Sequence, residues 1–246
     1  MNARANGAGF VVALPAEARA LIGASARAGE LRSFGDGAWL AVCGVGETAA
    51  RRAAQQLVAA NVIALVSWGT AGGLDPQLGA GDIVLPQHVV DAGGAVWHID
   101  ERWHRRLQRA LHGCGRVVGG SLLGSTVLLG SRGAKREAFT RTGAAAVDME
   151  SAAVATVAAE HGLPFVAVRV IVDAADQALP RAVAVALDAG GRAQPARLCA
   201  ALARRPQDLL GLLRLAWRFA LARRAMTRAA RALGPALRNP RTGAAA

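Results

Sequence analysis

The sequence predicts an α/β fold in which helices cover both faces of a central mixed, mainly parallel sheet, a three-layer sandwich. Short, nearly continuous apolar runs alternate with helical segments over residues 9–177, as expected for parallel strands that are buried on both faces. Gly and Pro turn signals separate these segments. Beyond about residue 178 the strand pattern stops and a basic helical sequence begins. We therefore predict an α/β core at 1–178 and an Arg-rich helical extension at 179–246.

The predicted elements follow from local patterns. Strands are expected where 4–8 apolar residues lie between turn signals, at 10–14, 38–42, 62–67, 81–85, 117–118, 125–129 and 165–172. A Gly-rich loop at 68–74 connects two of them, and residues 91–106 are expected to be a loop that enters the helix at 101–111. Helices are expected from Pro15, which is favourable in a first turn, and at 47–60, 101–111, 135–141, 152–160, 195–206 and 207–233.

Charge is distributed very unevenly along the 246 residues. The whole chain carries +12, but residues 1–177 hold 16 basic and 15 acidic residues, whereas residues 178–246 hold 13 arginines and two aspartates. Lys135 is the single lysine among 29 basic residues. Codon bias accounts for the excess of Arg over Lys, but it does not account for the segregation of charge, so the extension requires its own explanation.

Cysteine and histidine usage gives no sign of a disulfide framework or a metal site. The three cysteines are odd in number and widely spaced, and the five histidines have no metal-ligand spacing with them. The first residues show no signal-peptide pattern, and no run of 18 apolar residues is free of charge. These features predict free thiols in a reducing cytoplasm and no membrane-spanning helix.

Two acidic segments carry the strongest chemical signal. Residues 146–151 place Asp148 and Glu150 before a helix, and residues 168–176 place Asp173 at the end of a buried strand. Ligands in open α/β sheets bind beyond the carboxyl ends of the strands. Two acids in one such crevice suit acid catalysis next to a sugar or polyol.

Four motifs together resemble the purine nucleoside phosphorylases and the methylthioadenosine/S-adenosylhomocysteine nucleosidases. They are Gly44-Val45-Gly46, Gly69-Thr70-Ala71-Gly72-Gly73-Leu74 with Gly81-Asp82-Ile83-Val84, Val147-Asp148-Met149-Glu150-Ser151-Ala152-Ala153 and Arg169-Val170-Ile171-Val172-Asp173-Ala174-Ala175-Asp176. Residues 178–215 further resemble one branch, the hopanoid-associated phosphorylases. That resemblance implies release of adenine from adenosylhopane, a lipid nucleoside.

The resemblance also implies roles for individual residues. Asp173 matches the acid that protonates or hydrogen-bonds purine N7, although Asp also caps helices well. Glu150 matches the carboxylate that binds the ribose 2′ and 3′ hydroxyls. Glu17 matches the residue that holds the attacking water, although an acid here also complements a helix dipole. Thr70 matches a hydroxyl near the nucleophile.

Further positions have a weaker basis. Met149 matches a residue packed beside the ribose, but a core methionine explains it nearly as well. Gly72 belongs to the Gly-rich loop whose backbone can approach the ligand. Arg169 is expected to form a structural ion pair. The arginine with which the phosphorylases bind phosphate is replaced by Ser67. Arg19 could substitute for it, so hydrolysis and phosphorolysis both stay open.

The basic helix at 207–233 has three interpretations. It could cover one side of the sheet, lie on anionic lipid as an amphipathic helix, or bind nucleic acid. The absence of interleaved aromatic residues argues against nucleic acid. A lipid substrate would make membrane contact physically sensible.

The leading hypothesis is cleavage of an N-glycosidic bond in a purine nucleoside, adenosylhopane above all. It implies no cofactor beyond inorganic phosphate as a co-substrate, a homodimer, and a cytoplasmic enzyme at the inner face of the membrane. The alternatives are a soluble methylthioadenosine/S-adenosylhomocysteine nucleosidase and a non-catalytic basic module.

Overall fold

The computed structural model describes residues 7–180, 194, 200, 204 and 208–241. Within them, eleven strands form one sheet. The strands are β1 (Gly9–Val12), β2 (Leu31–Phe34), β3 (Ala38–Val42), β4 (Leu65–Gly73), β5 (Ile83–Val84), β6 (His88–Asp91), β7 (Val96–His98), β8 (Val117–Val118), β9 (Ser121–Gly124), β10 (Ala146–Asp148) and β11 (Phe165–Asp173). The described helices are α1 (Pro15–Ile22), α2 (Glu47–Ala59), α3 (Glu101–Ala110), α4 (Arg132–Thr142), α5 (Ser151–Glu160) and α6 (Asp208–Arg238).

The sheet is mixed and mainly parallel, which confirms the predicted fold class. Its main path runs β2-β3-β1-β4-β10-β9-β6-β7, and β11 pairs with both β4 and β5. The central pairs β1–β3, β1–β4 and β11–β4 are parallel. The antiparallel pairs involve the hairpin strands β2 and β7 and the contacts of β10 with β4 and β11 with β5. The carboxyl ends of β1, β4 and β11 therefore meet at one edge of the sheet.

Helices cover this sheet in two groups. Helix α2 packs on α5, whereas α6 packs on α1, α3 and β11. The continuous apolar sequence of β11 is buried along its whole length, as expected for a strand inside a parallel sheet. One large core cluster includes residues of β1, β4, β11, α2, α5 and α6.

Some elements differ from the prediction. The Gly-rich segment is not a loop, because β4 continues to Gly73 and pairs with β11 in register up to Ala71. Residues 125–129 follow β9 and contain no strand. The segment at 91–106 contains β7, which was not predicted, before α3 begins at Glu101 as expected. β7 has only three residues and lacks a strong apolar run, which is why the pattern missed it. The helix predicted at 195–206 lies outside the described residues.

Helix α6 is anchored to the core at its C-terminal end. The helix kinks at Gly234, whose φ of 44° and ψ of −129° are not helical, and Pro235 follows; Gly followed by Pro is a common way to end a helix. Beyond the kink, Trp103 Nε1 donates to the Ala236 carbonyl at 2.7 Å and Ala8 N to the Arg238 carbonyl at 2.7 Å. Arg238 also pairs with Asp36 at 2.7 Å. None of the helices in the described ranges combines the length and the hydropathy needed to cross a bilayer.

Candidate active site

Three chain segments meet where β4 ends. Gly72 of β4 pairs with Val147 of β10 on one side and with Asp173 of β11 on the other. A Cβ atom at position 72 would lie 3.4 Å from both the Asp173 carboxylate and the Val147 side chain. The glycine thus lets the two neighbouring strands approach each other, and both acidic segments identified in the sequence reach the same place.

A cavity of about 510 Å³ opens at this edge of the sheet. Its polar walls contain the Glu17, Thr70, Asp148, Glu150 and Asp173 side chains together with the backbone of Gly72. Its apolar walls are formed by Ala13, Leu14, Val45, Ala71, Val127, Leu128, Leu129, Val147, Met149, Val172, Leu179, Leu212, Leu215, Ala216 and Phe219. Asp173 and Glu150, which the sequence expected to flank one nucleoside, therefore share one cavity, joined by Glu17, Thr70, Met149 and Gly72.

Glu17 caps helix α1 and also lines the cavity. Its Oε2 accepts a hydrogen bond from Leu14 N at 3.0 Å, which caps α1. Its Oε1 accepts from Thr70 N at 2.8 Å and from Thr70 Oγ1 at 2.6 Å. Burial raises the pKa of Glu17, although these hydrogen bonds and the nearby Arg169 lower it. The sequence allowed Glu17 either a role at the helix N-terminus or a role in the site, and its position in the structure is compatible with both.

Glu150 lies at the N-terminus of α5 and faces the cavity. Its Oε1 accepts from Gly46 N at 2.8 Å, so the Gly44-Val45-Gly46 turn holds the carboxylate. Burial raises the pKa of Glu150 to about 7, and Asp148 and Glu17 add repulsion, whereas Arg169 and the Gly46 amide favour the charged form. Near neutral pH this carboxyl group is thus poised between its two protonation states.

Arg169 is a buried cation that pairs with two acidic side chains of the site. It is only 1% exposed, and its Nη2 lies 2.6 Å from Asp148 Oδ2 and 3.8 Å from Glu150 Oε2. The same nitrogen donates to Ser67 Oγ at 2.6 Å and to Ser151 Oγ at 3.0 Å. A side chain at Gly69 would collide with this guanidinium. Arg169 is thus a structural ion-pair partner.

Asp173 is held by a buried lysine. Lys135 of α4 has no exposed surface, and its ammonium contacts an Asp173 carboxylate oxygen. It also donates to the carbonyls of Ala174 at 2.9 Å and Gln177 at 3.1 Å. Burial raises the pKa of Asp173, and the Lys135 ammonium opposes that rise. The carboxyl group therefore has a fixed orientation and a pKa above its ordinary value.

Helix α6 supplies one apolar wall. Leu212, Leu215, Ala216 and Phe219 line the cavity, and Phe219 is the aromatic residue among its described lining. Leu128 and Leu129 are also in the lining. Part of the apolar wall, including its aromatic residue, thus comes from the last described helix of the chain.

Arg19 is the one proposed site residue that does not join the cavity. Its Nη2 donates to Ser25 Oγ at 2.6 Å, and its side chain lines a separate cavity together with arginines of α6. Arg19 lies about one helical turn after the end of β1 in sequence, but its side chain lines a different cavity from the one at the strand end. Ser67, at the position of the missing arginine, is buried beneath Arg169.

Sequence reasoning missed Lys135 and the wall formed by α6. The sole lysine of an Arg-rich chain was a usable signal for Lys135, but nothing in the spacing linked it to Asp173, 38 residues away. Within residues 7–180 and 208–241, no three His, Cys, Asp or Glu side chains cluster as metal ligands.

Comparison with known proteins finds a matching family model and similar folds. The family model described as the phosphorylase superfamily matches residues 17–204. A methylthioadenosine/S-adenosylhomocysteine nucleosidase of Colwellia psychrerythraea, solved in complex with adenine, is 22% identical, with 71% of this chain and 85% of that chain covered and a TM-score of 0.61. The corresponding nucleosidase of Helicobacter pylori is 15% identical over 94% of this chain and 97% of that chain, with a TM-score of 0.66.

A third solved structure has a similar fold. The futalosine hydrolase of Helicobacter pylori is 15% identical, covers 94% of this chain and 96% of its own, and has a TM-score of 0.66. At these identities the three likenesses describe a shared fold.

Proposed function

The chain belongs to the phosphorylase superfamily and is an enzyme of the nucleosidase and nucleoside phosphorylase class, and from this premise we propose that it releases adenine from a lipid-linked purine nucleoside, adenosylhopane. The observation that carries the proposal is the shared cavity. Asp173 and Glu150 line it together, and an apolar wall from α6 faces them. This arrangement offers separate surfaces to a purine, a ribose and an apolar substituent.

Asp173 is the general acid. Breaking the bond between ribose C1′ and purine N9 transfers the electron pair to the purine, and protonation at N7 makes that purine a neutral leaving group. A buried carboxyl group with a raised pKa retains a proton at higher pH than an exposed one. Lys135 acts as a positioning residue because it holds the carboxyl group and its following loop.

Glu150 and Glu17 act on the sugar side. Glu150 accepts hydrogen bonds from the ribose hydroxyls, and its negative charge stabilises the oxocarbenium-like transition state. Glu17 binds the water whose oxygen forms the new bond to C1′ and accepts the proton that this water loses. Thr70 holds Glu17 in place through its hydroxyl and its backbone amide.

We propose hydrolysis in preference to phosphorolysis. No arginine or lysine lines the part of the cavity that the structure describes, and Arg19 lies in another cavity. A phosphate dianion would there lack the charged, bidentate partner that normally binds it. Water needs no cationic partner, and the Glu17 carboxylate, which Thr70 holds in place, offers an acceptor for a hydrogen bond from that water.

The apolar mouth supports a lipid substituent. Val127 and Leu128 line the cavity and are exposed, and Leu179 and Leu212 lie beside them in the lining. A pentacyclic lipid does not leave the bilayer freely, so we propose peripheral membrane contact through residues 207–233 at the inner face of the membrane, for a cytoplasmic enzyme. The family resemblance supports a homodimer, which sedimentation analysis would test.

A soluble methylthioadenosine/S-adenosylhomocysteine nucleosidase is the second candidate. Two of the similar structures are nucleosidases of that name, and a thioether substituent would also suit an apolar wall. The two candidates differ in the size of the substituent that the mouth accepts.

An adenine-release assay tests both candidates. Adenosylhopane in lipid vesicles and soluble methylthioadenosine would be compared, each with and without phosphate, with mass analysis of the sugar product. We expect adenine and a free ribosyl lipid, independent of phosphate. Preference for methylthioadenosine would favour the second candidate, and a phosphorylated sugar would contradict hydrolysis.

Substitution of the acid tests the mechanism. Asp173→Asn should lower kcat by about 10²- to 10⁴-fold, the usual contribution of general acid catalysis, while the thermal unfolding transition stays cooperative. A variant with normal turnover would show that Asp173 is not the acid.

A further inference from the structure

A second cavity, outside the active site, is lined mainly by arginine: five of its seven lining residues. It measures about 350 Å³ and lies between α1 and α6, which pack together. Its lining comprises Arg19, Ala20, Arg223, Arg224, Thr227, Arg228 and Arg231. Among the residues that the structure describes, no acidic side chain lines this cavity.

The α6 arginines have no acidic partner among the described residues. The ion pairs in that part of the chain involve other basic residues, and none includes Arg223, Arg224, Arg228 or Arg231. Like charges at i and i+4 on a helix repel one another. Repulsion at this density is relieved when an anion binds, and the planar guanidinium matches phosphate oxygens in a bidentate manner.

The same face of α6 is apolar in its first half. Leu209, Leu210, Leu213 and Trp217 are exposed, with Leu210 and Trp217 both at 64% and Leu213 at 58%. At 100° per residue they fall in the arc of about 140° that also contains the cavity arginines. Their centre lies about 20 Å along the helix from the centre of the arginine cluster, at 1.5 Å per residue.

The apolar half adjoins the mouth of the active site. A Cβ atom at Gly211 would lie 3.1 Å from Pro180, and Leu179 N donates to the Gly130 carbonyl at 2.8 Å. The start of α6 is therefore next to the chain segments at 127–130 and 179–180, where Val127 is 61% exposed. The exposed apolar residues of α6 therefore lie on the same helix turns that line the cavity with Leu212 and Leu215, and the basic residues follow farther along the helix.

We propose that this arginine cavity binds the phosphate groups of anionic phospholipids while Leu209, Leu210, Leu213 and Trp217 insert into the bilayer beside the active-site mouth. Apolar residues next to arginines on one helix face are characteristic of interfacial helices. A second copy of the chain is a poor occupant of this face, because in a two-fold contact its arginines would meet their own like charges. Nucleic acid would leave the exposed leucines uncovered.

This inference rests on the proposed function, because a membrane-docking surface beside the active site serves an enzyme whose substrate lies in the membrane. Its test does not depend on that function, because vesicle binding is measured without nucleoside. Failure to release adenine would remove the proposed reaction and leave the docking surface standing. Failure to bind vesicles would remove the docking surface and the proposed membrane contact, and it would leave the proposed reaction standing.

The experiment measures cosedimentation of the full chain with vesicles of phosphatidylcholine, alone or mixed with phosphatidylglycerol, at physiological ionic strength. We expect binding only to the mixed vesicles. Arg224→Gln with Arg228→Gln should weaken it about thirtyfold, the effect of two arginine charges at an anionic surface. The matched control, Arg102→Gln with Arg109→Gln on α3, removes the same charge from exposed residues and should weaken it far less.

Two further measurements separate the sources of binding. Trp217 fluorescence should shift to the blue on mixed vesicles, with Trp217→Phe as the reference for the other tryptophans. Inorganic phosphate at matched ionic strength should not displace the protein from the vesicles.

Equal losses in the two double variants, an unshifted Trp217, displacement by inorganic phosphate, or tight binding to duplex DNA without vesicle binding would each overturn the proposal.

Discussion

At the scale of single residues, the site is defined by three buried carboxyl groups whose pKa values are raised and by two buried cations that hold them. Burial is the first cause of the rise for Glu17, Glu150 and Asp173. Arg169 and Lys135 limit that rise. Such opposition of burial and a specific partner is typical of functional sites, and each part of it is open to substitution.

Lys135→Met should move the alkaline limb of the kcat/KM profile to higher pH. The Lys135 ammonium lowers the pKa of Asp173, so its removal keeps Asp173 protonated to higher pH. The rate at neutral pH should fall about tenfold or more, because the carboxyl group loses its fixed orientation. The pH–rate profile checks this prediction.

Lys135→Arg serves as the comparison variant. It keeps the charge but replaces a compact ammonium with a planar fork, so the limb should stay near its wild-type pH while the rate falls. A purely structural lysine would lower stability in both variants and leave the alkaline limb in place.

Glu150→Gln should change how stability depends on pH. In the folded protein the pKa of Glu150 is about 7, above its ordinary value of 4.5, so the folded state retains a proton that the unfolded chain has lost. The stabilisation is full below about pH 4.5 and is lost as pH rises through about 7. At pH 8 the free energy of unfolding of the variant should therefore exceed that of the wild type by up to about 3 kcal/mol, and the variant should unfold at a higher temperature.

Thermal unfolding over this pH range checks the effect, and Glu137→Gln, an exposed acid on α4, is the control. Parallel curves for wild type and Glu150→Gln would show that Glu150 does not titrate in this range.

At the scale of elements, one side of α6 performs two tasks at different points along the helix. In the second half of the helix it buries Ala222, Ala225, Met226, Ala229 and Leu233 against the core. Its first turns turn Leu212, Leu215 and Phe219 toward the active-site cavity. The sequence pattern predicted the shared arc of Leu212, Leu215, Phe219 and Met226, but it could not predict that only the first three line the site.

Phe219→Ala should reduce discrimination in favour of the lipid nucleoside. Removal of a large apolar contact from a binding pocket costs about tenfold or more in specificity, so the ratio of kcat/KM for adenosylhopane over methylthioadenosine should fall by about that factor. Steady-state kinetics with both substrates measure the ratio.

Met226→Ala is the matched control on the same helix, since Met226 is buried and outside the cavity. It should lower stability by about 2–5 kcal/mol and leave the ratio unchanged. Equal ratios in wild type and Phe219→Ala would exclude α6 from substrate contact.

At the scale of the whole molecule, the C-terminal helix is packed into the core that precedes it. Contacts with α1, α3 and β11 join it to the α/β sheet, and hydrogen bonds from Trp103 and Ala8 hold its end. Removal of α6 would expose the apolar surface that these elements bury and would open the active-site cavity.

A chain ending at residue 207 should therefore lose cooperative unfolding and become prone to aggregation. Thermal unfolding and size-exclusion chromatography measure this. A chain ending at residue 241 keeps every described contact of α6 and should behave as the full chain does. A 207-residue chain with the wild-type transition and full activity on a soluble nucleoside would contradict the integration of α6.

The sequence by itself determined the alternation of elements, the fold class and the two acidic segments. Apolar runs between turn signals record local preference and burial, and Asp173 and Glu150 stand directly at the ends of such elements. The sequence pattern did not predict the hairpin strands β2, β6 and β7, because their pairing is set by neighbouring strands more than by their own composition.

Only the tertiary structure decided which distant residues meet. It joined Lys135 to Asp173, placed Phe219 opposite the acids, and put Arg19 in a basic cavity with α6. Sequence periodicity gives the direction of a side chain relative to its own helix or strand. The packing of helices on the sheet sets which of those directions converge, and that depends on the whole core at once.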